Sequence, residues 1–265
     1  MLVLDDVVKS YLSGTPDSVR ALDGVCLTLA KGDFVSVIGS NGAGKSTLLK
    51  AISGMVVPDS GCITLDGRDI TREPVHRRAA LIGRVAQDPN ESTCASMSIA
   101  ENLAIAGRRQ RARGLGRAIT PSLRTEYRTR LRAIGLGLED RLDARLGMLS
   151  GGQRQAVALL MATLAHPRLL LLDEHLANLD PRTAKMVMAL TATLIAESNL
   201  TTFMVTHDMG EAIRWGNRLM MIHAGRIIFA AEGASKASLT VADMVDRFHA
   251  ASGRALASDR TLLLS

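Results

Sequence analysis

Nine consecutive residues, GSNGAGKST at positions 39–47, restrict the possible folds of this chain more than any other feature. The β-rich run FVSVI leads directly into them, and TLLKAI then carries helical spacing until Gly54 stops it. Strand, glycine loop and helix in direct succession make a cradle for phosphate. The backbone of Gly39, Ser40, Asn41, Gly42, Ala43 and Gly44 can turn its N–H groups inward, and the helix start adds roughly half a positive charge. In this GxxxxGK[ST] pattern Lys45 would reach the β and γ phosphates of a nucleotide. Ser46 would offer a hydroxyl to Mg²⁺, and Thr47 another to the α phosphate.

Such a site needs a carboxylate at the end of a second buried strand. LLLLDE supplies Asp173 for the metal, and the adjacent Glu174 is placed to orient and polarise an attacking water as general base. Continuous apolar runs at 168–174 and 201–207, with helical segments between, predict a parallel sheet covered on both faces. CITLDGRDI predicts a hairpin around an Asp-Gly turn near 62–70. Residues 98–165 read as helix after helix: SIAENLAIAGRR, TEYRTRLRAIG and GGQRQAVALLMATLA. GASKAS, beginning at Gly233, reads as a linker, followed by an amphipathic helix that carries Val241, Met244, Val245 and Phe248.

LSGGQRQ at 149–155 admits two readings. Ser150 and Gln153 form a capping box for a helix whose apolar positions include Ala156, Leu159, Leu160 and Met161. A capping box alone does not need Gly151 and Gly152, and paired glycines at a helix start let backbone N–H groups approach an anion.

Charge and cysteine usage exclude other classes. A formal charge of +6 favours anionic partners. Nine arginines stand between Arg108 and Arg132 against the single acid Glu126, with Gly114, Gly116 and Pro121 read as breaks. A single aromatic, Tyr127, stands among them, so the run is first of all a solvated face and nucleic acid is not expected as a partner. Cys26, Cys62 and Cys94 form no CxxC pair, which argues against a zinc site or a disulfide framework. MLVLDDVVKS lacks the order of a secretory signal, and no apolar run approaches the ~20 residues of a membrane span.

In sequence order, GSNGAGKST, Gln87 in VAQDP, LSGGQRQ, LLLLDE, ANLD at 177–180 and VTHD around His207 together resemble the nucleotide-binding subunit of ATP-binding cassette transporters over about residues 2–232. The resemblance implies a RecA-like α/β P-loop NTPase core with an N-terminal antiparallel β subdomain and an inserted α-helical subdomain. It places the core at 1–97 and 160–235, the helical subdomain at 98–159 and a short tail at 236–265. It also implies that Ser150, Gly151, Gly152 and Gln153 hold the γ phosphate of an ATP bound to a second copy of the chain. By the same resemblance Tyr11, ahead of the first strands, stacks adenine, and Gln87 touches Mg²⁺ and reports nucleotide state. His207 bonds the γ phosphate, and Asp180 links the two sites. The implied cofactors are ATP and Mg²⁺. The implied partners are permease subunits and an extracytoplasmic substrate-binding protein, with the chain peripheral on the cytoplasmic face of the membrane.

His175, Leu176 and Asn178 depart from the usual pattern but leave Asp173 and Glu174 in place. DEHLANLDPRTA with WGNRLMMIHAGRI is most similar to the ATPases of tryptophan- or tyrosine-type uptake systems. The alternative function is a cassette ATPase that serves no transporter, in iron–sulfur assembly or linked to nucleic acid.

Overall fold

All five residues of the FVSVI run are buried, as a strand covered on both faces requires. The computed structural model describes residues 1–109 and 116–252. Its strands are β1 (Leu2–Tyr11), β2 (Val19–Leu29), β3 (Phe34–Ile38), β4 (Ser60–Leu65), β5 (Arg68–Asp69), β6 (Ile82–Val85), β7 (Leu169–Asp173), β8 (Thr201–Val205), β9 (Arg218–His223) and β10 (Arg226–Glu232). Its helices are α1 (Lys45–Ser53), α2 (Val75–Arg78), α3 (Ile99–Gly107), α4 (Pro121–Ile134), α5 (Gly151–Thr163), α6 (Pro181–Ser198), α7 (Met209–Arg214), α8 (Gly233–Ala237) and α9 (Val241–Ser252). The chain divides into two units, one of Met1–Arg78 with the residues from Thr201 onward, the other of Ala79–Leu200.

The first unit holds an antiparallel sheet in the order β2-β1-β4-β5, in which Asp66 and Gly67 turn β4 into β5 as the Asp-Gly signal predicts. It also holds β10-β9-β3-β8. Here β9 and β8 run parallel to β3, pairing Val37 with Met220 and Val35 with Phe203, while β10 runs antiparallel to β9. Met244 and Phe248 of α9 are buried with Met209 and Ala212 of α7, Leu219 and Met221 of β9, and Ile38 at the end of β3. The amphipathic helix expected near the C-terminus therefore exists, with Val245 packed against this cluster but Val241, at its first position, exposed. The linker expected before it does not, because 233–237 is the helix α8. Its Lys236 is buried and donates to the carbonyls of Trp215 and Gly216, which anchors the segment.

The second unit contains the parallel pair β6-β7 and the helices α3 to α6. Its core joins Ile99 and Leu103 of α3, Tyr127 and Leu131 of α4, and Val157 and Leu160 of α5. The expected helical run is present. Pro121 proves to be a helix start rather than a break: Thr120 Oγ1 accepts from the Leu123 amide at 3.3 Å, and Pro121 takes the first helical position. Residues 110–115 of the arginine-rich stretch, including Gly114, and the tail from residue 253 lie outside the described residues.

Candidate functional site

In the first unit, β3 delivers the chain into the loop 39–44, and α1 begins at Lys45. Gly44 has φ 105°, and a Cβ there would lie 2.3 Å from the Ala21 carbonyl oxygen, so the turn into α1 tolerates only glycine. Helices α3, α4, α5, α6 and α7 each have a side-chain N-cap. Helix α1 has none and carries no acid in its first turn, so no capping side chain or acid of its own competes with an anion there. Lys45 is buried, and its ammonium donates to the carbonyls of Gly39 at 2.7 Å and Ser40 at 3.0 Å, folding the cation over the loop. Ser46 is exposed and Thr47 half-buried.

His207 lies between β8 and α7, and the amide of its neighbour Thr206 donates to the carbonyl of Val37 in β3 at 3.1 Å. The strand that feeds the loop thus also fixes the backbone beside His207. Tyr11 corrects one expectation. It is the last residue of β1, paired with Val19, rather than ahead of the first strands; its ring is exposed, with Lys9 Nζ 5.9 Å from the centroid.

In the second unit, Asp173 ends β7 and Glu174 follows it at φ 45°, a conformation a non-glycine residue rarely adopts. Burial raises the Asp173 pKa, and the neighbouring Glu174 adds to the rise, while Arg84 opposes it. Gln87 Nε2 donates to Glu174 Oε2 at 3.4 Å, so the structure brings Gln87 and the acid pair together. Asp180 caps α6, accepting from the Thr183 amide at 3.1 Å, and hydrogen bonds from the Thr183 hydroxyl and then from its amide lower the Asp180 pKa.

At the start of α5 the capping box is present in full. Ser150 Oγ accepts from the Gln153 amide at 3.3 Å, and Gln153 Oε1 accepts from the Ser150 amide at 3.2 Å. The two glycines separate in role. A Cβ on Gly152 would lie 2.0 Å from the Thr183 methyl, so its bareness serves the packing of α5 on α6. Gly151 meets nothing closer than Leu179 at 3.8 Å, so packing does not require its glycine.

Three arginines escaped the sequence reading. Arg78 is wholly buried and donates to the carbonyls of Ala51 and Ile52 in the last turn of α1 and to those of Glu73 and Thr71; burial lowers its pKa. Arg84 lies 3.6 Å from Asp173 Oδ2. Arg154, on α5, donates to Asn90 at 2.8 Å. A lone arginine in the apolar run of β6 was the available signal for Arg84.

A strand-loop-helix phosphate cradle beside a parallel sheet, with a strand-end acid pair on the same chain, defines a P-loop nucleoside triphosphatase. The profile described as "ABC transporter" matches residues 22–177. A tyrosine transport ATP-binding protein of Clostridioides difficile is 40% identical over 250 residues, covering 94% of this chain and 98% of that protein. A methionine import ATP-binding protein of Rhizobium johnstonii is 36% identical over 231 residues, covering 85% of this chain and 59% of its own length. The solved structure of a dimeric ATP-binding cassette in a post-hydrolysis state, bound to ADP and Pi, superposes with a TM-score of 0.75 at 28% identity, covering 88% of this chain and 98% of that one. The chain belongs to the ABC transporter family, as an ATP-binding and ATP-hydrolysing subunit.

Proposed function

We propose that this subunit powers uptake of a small solute, an amino acid of the tyrosine class, through separate permease subunits and with an extracytoplasmic substrate-binding protein. The observation that carries the reading is 40% identity along 98% of a tyrosine transport ATP-binding protein, with every motif of the phosphate chemistry in place. The relatives named above both serve transport, and the alternative of a cassette outside transport has no observation behind it. Among the described residues no helix is long and apolar enough to cross a membrane, which fits a peripheral subunit on the cytoplasmic face.

In this reading Gly39 to Thr47 hold the triphosphate, and Tyr11 stacks the base. Lys45 and His207 neutralise charge developing on the γ phosphate, and Glu174 orients the attacking water. Ser46, Asp173 and Gln87 would hold Mg²⁺. The donor set suits a hard cation, since all three offer oxygen and the Asp173 carboxylate is buried at a strand end. When bound, the metal would neutralise charge on the β and γ oxygens. Ser150, Gly151, Gly152 and Gln153 face the ATP of a second copy, with Asp180 between the sites, so two ATPs join a head-to-tail dimer. The segment 98–159 passes that closure to the permease, and hydrolysis releases it.

Uptake of labelled tyrosine by cells lacking the chain tests the cargo. Loss of that uptake, restored by the parent chain and not by Glu174→Gln, is expected. Unchanged tyrosine uptake beside loss of another solute's overturns the assignment.

A further inference from the structure

Two residues past Gln87 the chain makes a 3₁₀ turn, Pro89–Glu91, and arginines from two different elements hold consecutive side chains of that turn. Arg154, directly after LSGGQ on α5, donates through Nη1 to Asn90 Oδ1 at 2.8 Å. Through Nη2 it donates to the carbonyls of Gly147 and Leu149, both at 3.3 Å, in the loop that presents Ser150. Arg84, on β6, places Nη2 3.4 Å from Glu91 Oε2 and 3.6 Å from Asp173 Oδ2. Beside Arg154 the buried Gln155 donates to the carbonyl of Ala86, the residue before Gln87, at 3.4 Å. All of these groups lie in the second unit.

We infer that Arg154 is a positioning residue that ties the LSGGQ loop to the turn after Gln87, and that Arg84 carries the tie on to Asp173. The inference rests on the nucleotide-sandwich reading, in which LSGGQ serves one ATP and the acid pair the other. A guanidinium presents its donors as a rigid fork, so one side chain reaching acceptors on two segments fixes their relative orientation; a lysine ammonium is a point donor and cannot do so. The loop that must meet the partner's ATP is therefore held in register with the acids of its own chain. Pre-ordering of this kind lowers the cost of closing the dimer and leaves the phosphate loop's own hold on nucleotide untouched.

The test uses the full-length Glu174→Gln chain, titrated with Mg-ATP, with dimer formation followed by light scattering. Nucleotide affinity of the monomer is measured in parallel with a fluorescent ATP analogue, at protein concentrations too dilute to dimerise. Arg154→Met raises the ATP concentration for half-maximal dimerisation about tenfold with monomer affinity unchanged. Arg154→Lys does not restore the parent value. Asn90 is exposed, so Asn90→Ala removes one partner without touching the core; it shifts dimerisation in the same direction, and combined with Arg154→Met it adds nothing further. Dimerisation of both variants at the parent ATP concentration overturns the inference, and so does an equal shift in monomer affinity, the mark of a generally disturbed fold. If Arg154→Met does not fold, Asn90→Ala decides alone. Failure of the parent Glu174→Gln chain to dimerise overturns the sandwich reading itself, and the inference with it.

Discussion

The side-chain amide of Gln87 donates to the Glu174 carboxylate over 3.4 Å, joining the segment after β6 to the acid that follows β7. Glu174 is held at φ 45°, a strained conformation for a residue with a Cβ, and such strain persists where surrounding structure over-determines it. The carboxylate is thereby aimed rather than left to rotate with the loop. In Glu174→Gln the amide keeps the shape and loses the charge that polarises water. Turnover falls by about a hundredfold or more while ATP binding is retained, as steady-state hydrolysis and a nucleotide titration will show. Hydrolysis at the parent rate would remove Glu174 from the role of base.

Lys45 donates to two carbonyls of the loop it follows, and a bound triphosphate offers the ammonium charged acceptors instead. Lys45→Ala should therefore weaken ATP binding by tenfold or more, roughly the contribution of one or two charge-assisted hydrogen bonds. Calorimetric titration checks it; undiminished affinity would sink the assignment.

Gly152 offers a stability test independent of ATP. A methyl added there meets the Thr183 methyl at 2.0 Å, so Gly152→Ala should destabilise the chain by about 1–3 kcal/mol in urea unfolding. Thr183→Ser removes the opposing methyl and keeps the hydroxyl. The double variant should recover most of the loss, whereas additive losses would mean the contact is not the cause.

Lys236 gives a pH signature. Burial lowers its pKa to about 8 from the ordinary 10.5. Between those values the unfolded chain still holds a proton that the native chain has released, so stability rises with pH across the window, by about 3 kcal/mol for this group. The penalty for burying the charge is fully present below pH 8. Lys236→Met removes both penalty and rise, and urea midpoints for parent and variant at pH 7.5, 9 and 10 isolate the difference. Parallel curves would contradict a charged lysine buried below pH 8.

Much of the site was legible because phosphate chemistry is written in contiguous residues. GSNGAGKST, LSGGQ and the Asp173–Glu174 pair each carry their local structure with them, and the flanking strands and helices follow from short apolar runs. What escaped depends on contacts distant in sequence. The stretch 233–237 has linker composition, and the carbonyls of Trp215 and Gly216 that make Lys236 an anchor lie about twenty residues upstream. The packing role of Gly152 was hidden because Thr183, whose methyl a Cβ there would meet, lies on another helix. Pro121 was ambiguous by type: the same ring breaks a helix or starts one, and the Thr120 cap decides. Arg154 resembles any surface arginine until α5 and the Pro89–Glu91 turn are brought together, and the lone arginine of β6 does not by itself name Asp173 as its partner.

If the subunit works in transport, its ATP hydrolysis drives a membrane partner. The most direct measurement is affinity purification of the Glu174→Gln chain with ATP from detergent-solubilised membranes, followed by mass spectrometry of what accompanies it. A polytopic membrane protein in stoichiometric amount is expected. Recovery of soluble proteins or nucleic acid alone, with the chain absent from the membrane fraction, would contradict it.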